Sequence, residues 1–152
     1  MATFSEAELD HDGLRQVYRY WLGKKGDRVA PGRADIRPEE LVPLLPNLYL
    51  VDVEGARFRL RLVGTEIVQE YGAEITGRYL DEIDLDDRKA EILHEYLQAT
   101  RDRAPQFRRW DYEKEDGRQL RYSRLILPLS SDGKTVDKLL CVAFVRPFQP
   151  TA

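Results

Sequence analysis

The sequence has one cysteine, Cys141, and two histidines, His11 and His94. A single thiol excludes an internal disulfide framework, and so few imidazole and thiol ligands exclude a zinc module. No run approaches the roughly 18 consecutive apolar residues of a membrane-spanning helix. The first residues, Met1-Ala2-Thr3-Phe4-Ser5-Glu6, lack a basic stretch followed by an apolar run, so no signal peptide is expected and the expected compartment is the cytoplasm. Net positive charge is also missing: 24 Lys+Arg stand against 27 Asp+Glu, a formal charge of −3, which speaks against a strongly basic nucleic-acid binder. There is no glycine-rich phosphate loop, no nucleophile elbow and no two-histidine metal spacing. The expectation is therefore a protein that is not an enzyme, with no catalytic residues and no metal site.

What is present is one domain's worth of chain. The 152 residues are 42% hydrophobic and 34% charged, proportions of an ordinary globular protein. Leu14, Val17, Tyr18, Trp21 and Leu22 recur at helical spacing and predict an amphipathic helix that Gly23 would stop. Pro38 with Glu39 and Glu40 opens a second, short helix with Leu41, Leu44 and Leu45 inward. From Asn47 the period changes from about 3.6 to 2. Leu48–Val53 and Phe58, Leu60 and Leu62, alternating with Arg57, Arg59 and Arg61, predict a hairpin. Thr65 would cap a short helix ending at Gly72, and residues 72–84 read as loop and turns.

Asp86 or Asp87 would cap a longer helix running to about Arg103, with Ala90, Leu93, Tyr96, Leu97 and Thr100 as its inner face. Three more strands follow, 107–114, 119–129 and 138–146, joined by turns at Asp116-Gly117 and Asp132-Gly133. The result is an α+β domain with a five-stranded antiparallel sheet. Its last strand is apolar on both faces: Leu139, Cys141, Ala143 and Val145 on one, Leu140, Val142 and Phe144 on the other. That strand should be central and covered on both sides. The N-terminal helix would supply the second cover or dimerise with another copy of the chain. Cys141, inside this run, reads as a small buried hydrophobe.

The order of these elements resembles a PAS domain. The run Phe58-Arg59-Leu60-Arg61-Leu62-Val63-Gly64-Thr65 followed by Gly72-Ala73-Glu74-Ile75-Thr76-Gly77 is similar to the family's second strand and its Gly-x4-Gly segment. The Asp116-Gly117-Arg118 and Asp132-Gly133 turns match its two hairpins. Pro31-Gly32-Arg33-Ala34-Asp35-Ile36 and Leu44-Leu45-Pro46-Asn47-Leu48 resemble a bacterial stand-alone PAS group of unknown function. The resemblance implies a sheet in the order 2-1-5-4-3, middle helices over one face enclosing a pocket, and a sensory or protein-interaction role. It divides the chain into an N-terminal helical cap and loop (1–32), a PAS domain (33–148) and a tail (149–152).

The site is read from side chains. Arg124 interrupts the apolar phase Leu120, Tyr122, Ile126, and a buried guanidinium requires a partner. It is either an internal salt bridge or the anchor of an anionic ligand. Tyr79, Leu93, Leu97, Tyr122 and Ile126 complete the candidate pocket. Some PAS domains hold haem through a histidine on the long helix, but His94 falls about 100° from Leu93, on the polar edge beside Arg101 and Gln98. Light-sensing relatives form a flavin adduct on a cysteine after the second glycine, and Gly77-Arg78-Tyr79-Leu80-Asp81 contains none. No cofactor is evident.

The leading expectation is a stand-alone sensory module that binds a small molecule or a signalling protein, with no nucleic acid or membrane as partner. With four residues after Phe148, its signal would leave through a separate protein. The alternative is a ligand-free adaptor or homodimer, with Leu14, Val17, Tyr18 and Trp21 as the contact surface. A cavity of at least about 300 Å³ favours sensing, and a filled core favours the adaptor.

Overall fold

The computed structural model describes residues 3–148. Alternating patterns and Asp-Gly turns produce five strands: β1 (Leu48–Glu54), β2 (Arg57–Val63), β3 (Gln106–Glu113), β4 (Gln119–Leu129) and β5 (Lys138–Pro147). They form one antiparallel sheet in the order β2-β1-β5-β4-β3. The tail, residues 149–152, lies outside the described residues.

Because successive side chains of a strand point to opposite faces, β5 feeds two separate cores. Leu139, Cys141 and Ala143 enter one, with α2 (Thr65–Tyr71) and α3 (Lys89–Asp102) above them. Leu140 and Val142 enter the other, beneath α1 (Asp12–Lys25). The N-terminal helix is thus the second cover of the sheet. Leu14 and Val17 are fully buried and Trp21 is 2% exposed, while Tyr18 is half-buried against Phe4 and Trp21. This corrects the expectation that Leu14, Val17, Tyr18 and Trp21 form an outward contact surface. Leu125, Leu127 and Leu129 of β4 join Leu140 and Val142 in an apolar face that must be covered, and α1 covers it. Trp21 adds a polar anchor, its Nε1–H donating to the Pro128 carbonyl at 2.8 Å.

Helix α1 passes through Gly23 and stops at Gly26, whose φ is +57°. One interior glycine costs a helix only about 1 kcal/mol, and Arg28 satisfies end carbonyls by donating to Lys24 O at 2.6 Å. At the other end His11 is the cap. Its Nδ1 accepts from Gly13 N at 2.9 Å and its ring stacks on Phe144 at 3.7 Å. Burial above all, with the Arg146 charge, holds this imidazole below its ordinary value, against the opposing pull of Asp10 and Asp12. A base with a lowered folded pKa contributes stability that is complete above its unfolded value, about 6.5, and is lost as pH falls below it. The urea midpoint should therefore fall on acidification from pH 7 to about pH 5. His11→Asn, which keeps a capping acceptor but cannot titrate, should flatten that limb.

The expected helix at Pro38 is a pair of 3-10 turns, Pro38–Glu40 and Val42–Asn47, and Leu45 is 37% exposed instead of inward. The second turn presses on the start of α2. Gly64, not Thr65, caps α2, and a Cβ at Gly64 would lie 2.3 Å from Pro46 O and 2.4 Å from Leu45 O. Its φ of −64° suits any residue, so only space is at issue. Gly64→Ala is expected to cost about 2–3 kcal/mol by overpacking, read as a lower urea midpoint with unchanged m-value.

Helix α3 departs most from expectation. A 3-10 turn over Asp86–Arg88 precedes it, and its cap residue, Arg88, makes no side-chain capping bond. The Asp86 side chain lies outside the described residues. Its buried stripe is Ile92, Tyr96 and Ala99, with Ala90 exposed and Leu93 and Leu97 half-buried. Relative to a face centred on Leu93 the helix is turned by about 100°, one residue's worth. The turn brings Glu95 inward to Arg124 and Arg108. An ion pair, absent from any apolar pattern, thus accompanies the buried stripe Ile92, Tyr96 and Ala99.

Candidate functional site

Between α2, residues 72–88, the first turns of α3 and the inner face of the sheet lies a cleft of about 900 Å³. Leu60, Ile75, Leu80, Ile83 and Ile92 make its apolar walls, and Ala143 of β5 is a small side chain at its floor. One side is aromatic: Trp110 of β3 and Tyr122 of β4, paired across the strands, stack with centroids 4.3 Å apart. Carboxylates of Glu66, Asp84, Asp87, Glu113 and Glu115 also line the cleft. Glu70 is tied down at its edge, accepting from the Tyr112 hydroxyl at 2.6 Å and pairing with Lys114 at 3.0 Å.

Arg124 stands beside this aromatic wall, 3% exposed. The sheet register sets it directly opposite Arg108, an unfavourable like-charge pair. Glu95 resolves the conflict: Oε1 is ion-paired with Arg124 Nη2, and Oε2 accepts from Arg108 Nη1 at 3.0 Å. Glu91 takes the other Arg108 nitrogen at 2.6 Å. The guanidinium carbons of Arg88, Arg108 and Arg124 all lie 5.3–5.6 Å from the Trp110 ring, within cation–π range. Burial pulls Arg124 below its ordinary pKa, yet a guanidinium keeps its proton at neutral pH. Among the described residues, the buried atoms Arg124 Nε and Arg88 Nη1 have no hydrogen-bond partner.

Deeper in, the Tyr49 and Tyr96 hydroxyls share a hydrogen bond of 2.6 Å. Burial pushes both, and Tyr122, well above the ordinary phenol range, so all three remain neutral. The Cys141 thiol is pushed up to about 12 by burial, as suits a small core residue and not a nucleophile.

Of the six pocket residues read from the sequence, Tyr122 and Arg124 line the cleft and four do not. Tyr79 pairs with Arg59 beyond β2, on the face that carries the arginines. Its hydroxyl donates to Glu54 at 2.6 Å and accepts from Arg59 at 2.7 Å, with the Arg57 guanidinium 3.7 Å above the ring. Leu93 and Leu97 are carried off the cleft by the rotation of α3. Ile126 is 1% exposed, sealed in the core one pair beyond Arg124. His94 is exposed and does not line the cleft.

The alternating Arg57, Arg59 and Arg61 of edge strand β2 are likewise engaged locally, Arg57 by both Asp81 oxygens at 2.8 Å and Arg61 by Asp52. Sequence reasoning missed Trp110, Arg88 and Glu95. A signal existed for Trp110: counting outward from the Asp116-Gly117 turn pairs it with Tyr122. None existed for Glu95, which only the tertiary position of α3 brings inward.

The family model for the PAS domain matches residues 9–143. No protein of curated function matches the sequence. Among solved structures, the PAS domain of BvgS from Bordetella pertussis is similar at TM-score 0.54 and 20% identity, over 72% of this chain and 83% of that one. A PAS domain from Colwellia psychrerythraea is similar at TM-score 0.53 and 11% identity, over 72% and 95% of the two chains. A Light-Oxygen-Voltage domain studied with a flavin analogue matches at TM-score 0.53 and 12% identity, over 71% and 82%.

Proposed function

The chain belongs to the PAS domain family, typically sensory and signalling modules, and on that premise we propose that it senses a small molecule bound in the cleft over the inner face of the sheet. The observation that carries the reading is the cleft itself. About 900 Å³ of space beside an aromatic wall and a buried arginine is well above what a filled interaction core would leave. Occupancy would favour the position of α2, residues 72–88 and α3 that best grips the ligand, and shift the population toward it. Helix α1, sharing the strands from the opposite face, is the element placed to transmit that shift.

The adaptor reading has less support, because the residues chosen as its contact surface are spent on covering the sheet. Flavin in an adduct role does not fit the side chains: residues 77–81 hold no cysteine, and the one thiol, Cys141, is sealed in the sheet. Haem through His94 does not fit either, since that imidazole points away from the cleft into solvent. Among the described residues no helix is long and apolar enough to cross a membrane. We propose the cytoplasm as the site of action and a separate signalling protein as the recipient of the signal.

Native mass spectrometry of gently purified protein, with a thermal-shift screen of a diverse small-molecule collection, tests the reading. A co-purifying small molecule, a non-covalent flavin included, or saturable stabilisation by a compound class is expected. Protein free of any adduct that no compound stabilises contradicts it.

A further inference from the structure

We infer that the cleft takes a small planar carboxylic acid, its ring laid along Trp110 and its carboxylate received by Arg124 and Arg88. This rests on the cleft being a ligand site and adds the chemistry of the ligand. Three observations converge on it.

First, around Trp110 three guanidinium groups, of which Arg88 and Arg124 line the cleft, stand beside the two carboxylates of Glu91 and Glu95. Arg124 and Arg108 face each other across β3 and β4, and Glu95 divides its two oxygens between them. Glu91 completes Arg108, not Arg124. Arg88 lines the cleft as well and has no ion pair of its own among the described residues. Second, Arg124 Nε and Arg88 Nη1 are buried guanidinium donors without a hydrogen-bond acceptor among the described residues. Leaving such groups unsatisfied costs free energy that a carboxylate, with two acceptor oxygens, returns as charge-assisted hydrogen bonds. Third, both guanidinium groups flank the same ring, at 5.3 and 5.5 Å from Trp110, so an acid on that plate meets both at once. Both donors are buried, so admitting the acid requires the Arg88 side chain, on the Asp86–Arg88 turn, to move. The carboxylates of Glu66, Glu70, Asp84, Asp87, Glu113 and Glu115 set the upper limit on ligand charge. They repel a diphosphate or triphosphate and tolerate a single negative charge carried deep inside.

The test is a thermal-shift and calorimetric comparison of benzoate and 1-naphthoate with their primary amides and with inorganic phosphate. The acids should raise the unfolding midpoint saturably where the isosteric amides do not. Arg88→Gln, at a half-buried turn residue whose loss leaves the Glu95 network intact, should fold normally and weaken acid binding about ten-fold or more. Arg124→Gln should do the same if it folds, and Arg88→Gln decides the matter if it does not. Amides binding as well as acids, or an Arg88→Gln protein that binds the acids unchanged, overturns the inference while leaving a small-molecule site in place. Phosphate binding as tightly as the aromatic acids overturns the planar class. Failure of these probes together with every compound of the diverse screen overturns the site reading itself.

Discussion

Glu95→Ala is expected to destabilise the protein by about 3–5 kcal/mol, the usual cost of removing one partner from a buried ion pair. Arg124 is 3% exposed, and Glu95 is the carboxylate paired with it. Without that carboxylate, two guanidinium groups held opposite each other by the sheet register are left with Glu91 alone, which reaches only Arg108. Glu91 is 62% exposed, and Glu91→Ala should cost no more than about 1 kcal/mol. The contrast between two glutamates one helical turn apart separates a buried network from surface charge. Urea denaturation of both variants measures it. Equal, small losses would mean that Arg124 finds another partner. Glu95→Gln should fall between wild type and Glu95→Ala, because the amide oxygen still accepts but carries no charge.

The second large effect lies on the opposite face of the sheet. Trp21→Ala should cost about 3–5 kcal/mol, through the emptied volume and the stranded Pro128 carbonyl. Trp21 is 2% exposed among Leu125, Leu127, Leu129 and Leu140, so the void has no means of filling from solvent. Trp21→Phe keeps most of the apolar contact and loses the hydrogen bond to Pro128, for about 1–2 kcal/mol. If α1 were a detachable cap, Trp21→Ala would loosen it without shifting the main transition. A single cooperative transition at lower urea is the expected result, since α1 and the sheet face beneath it share one core.

These two networks show what local pattern reveals and what it hides. The strands and their order were legible because each signal is local. Alternation marks Phe58, Leu60 and Leu62, Asp-Gly pairs mark the hairpins, and the doubly apolar β5 can only be central. The separation of Cys141 and Val142 onto opposite faces of β5 follows from that pattern alone, whereas the placing of Val142 beneath α1 and Cys141 beneath α3 comes from the structure. The phase of α3 was hidden because Glu95 is polar and faces inward, answering an arginine 29 positions later in the chain. Reading polarity as exposure therefore misplaced Leu93 and Leu97. Tyr79 was misplaced for another reason. The stretch from Gly72 to Asp84 has no period, so nothing local says which way a ring points, and the Arg57 and Arg59 side chains hold it outside. Arg124 was visible because it broke an otherwise regular strand, and it lines the cleft.

The chain carries two tryptophans, Trp21 on the buried face of α1 and Trp110 on the cleft wall. In Trp21→Phe protein the emission therefore reports the cleft alone. Titrating that protein with benzoate, excited at the red edge of the tryptophan band where the probe does not absorb, tests the central claim most directly. A saturable change in Trp110 emission, matching the thermal-shift affinity and absent from Trp110→Phe protein, is the result this account predicts. Saturable stabilisation by a ligand that leaves Trp110 emission unchanged would place binding elsewhere and contradict it.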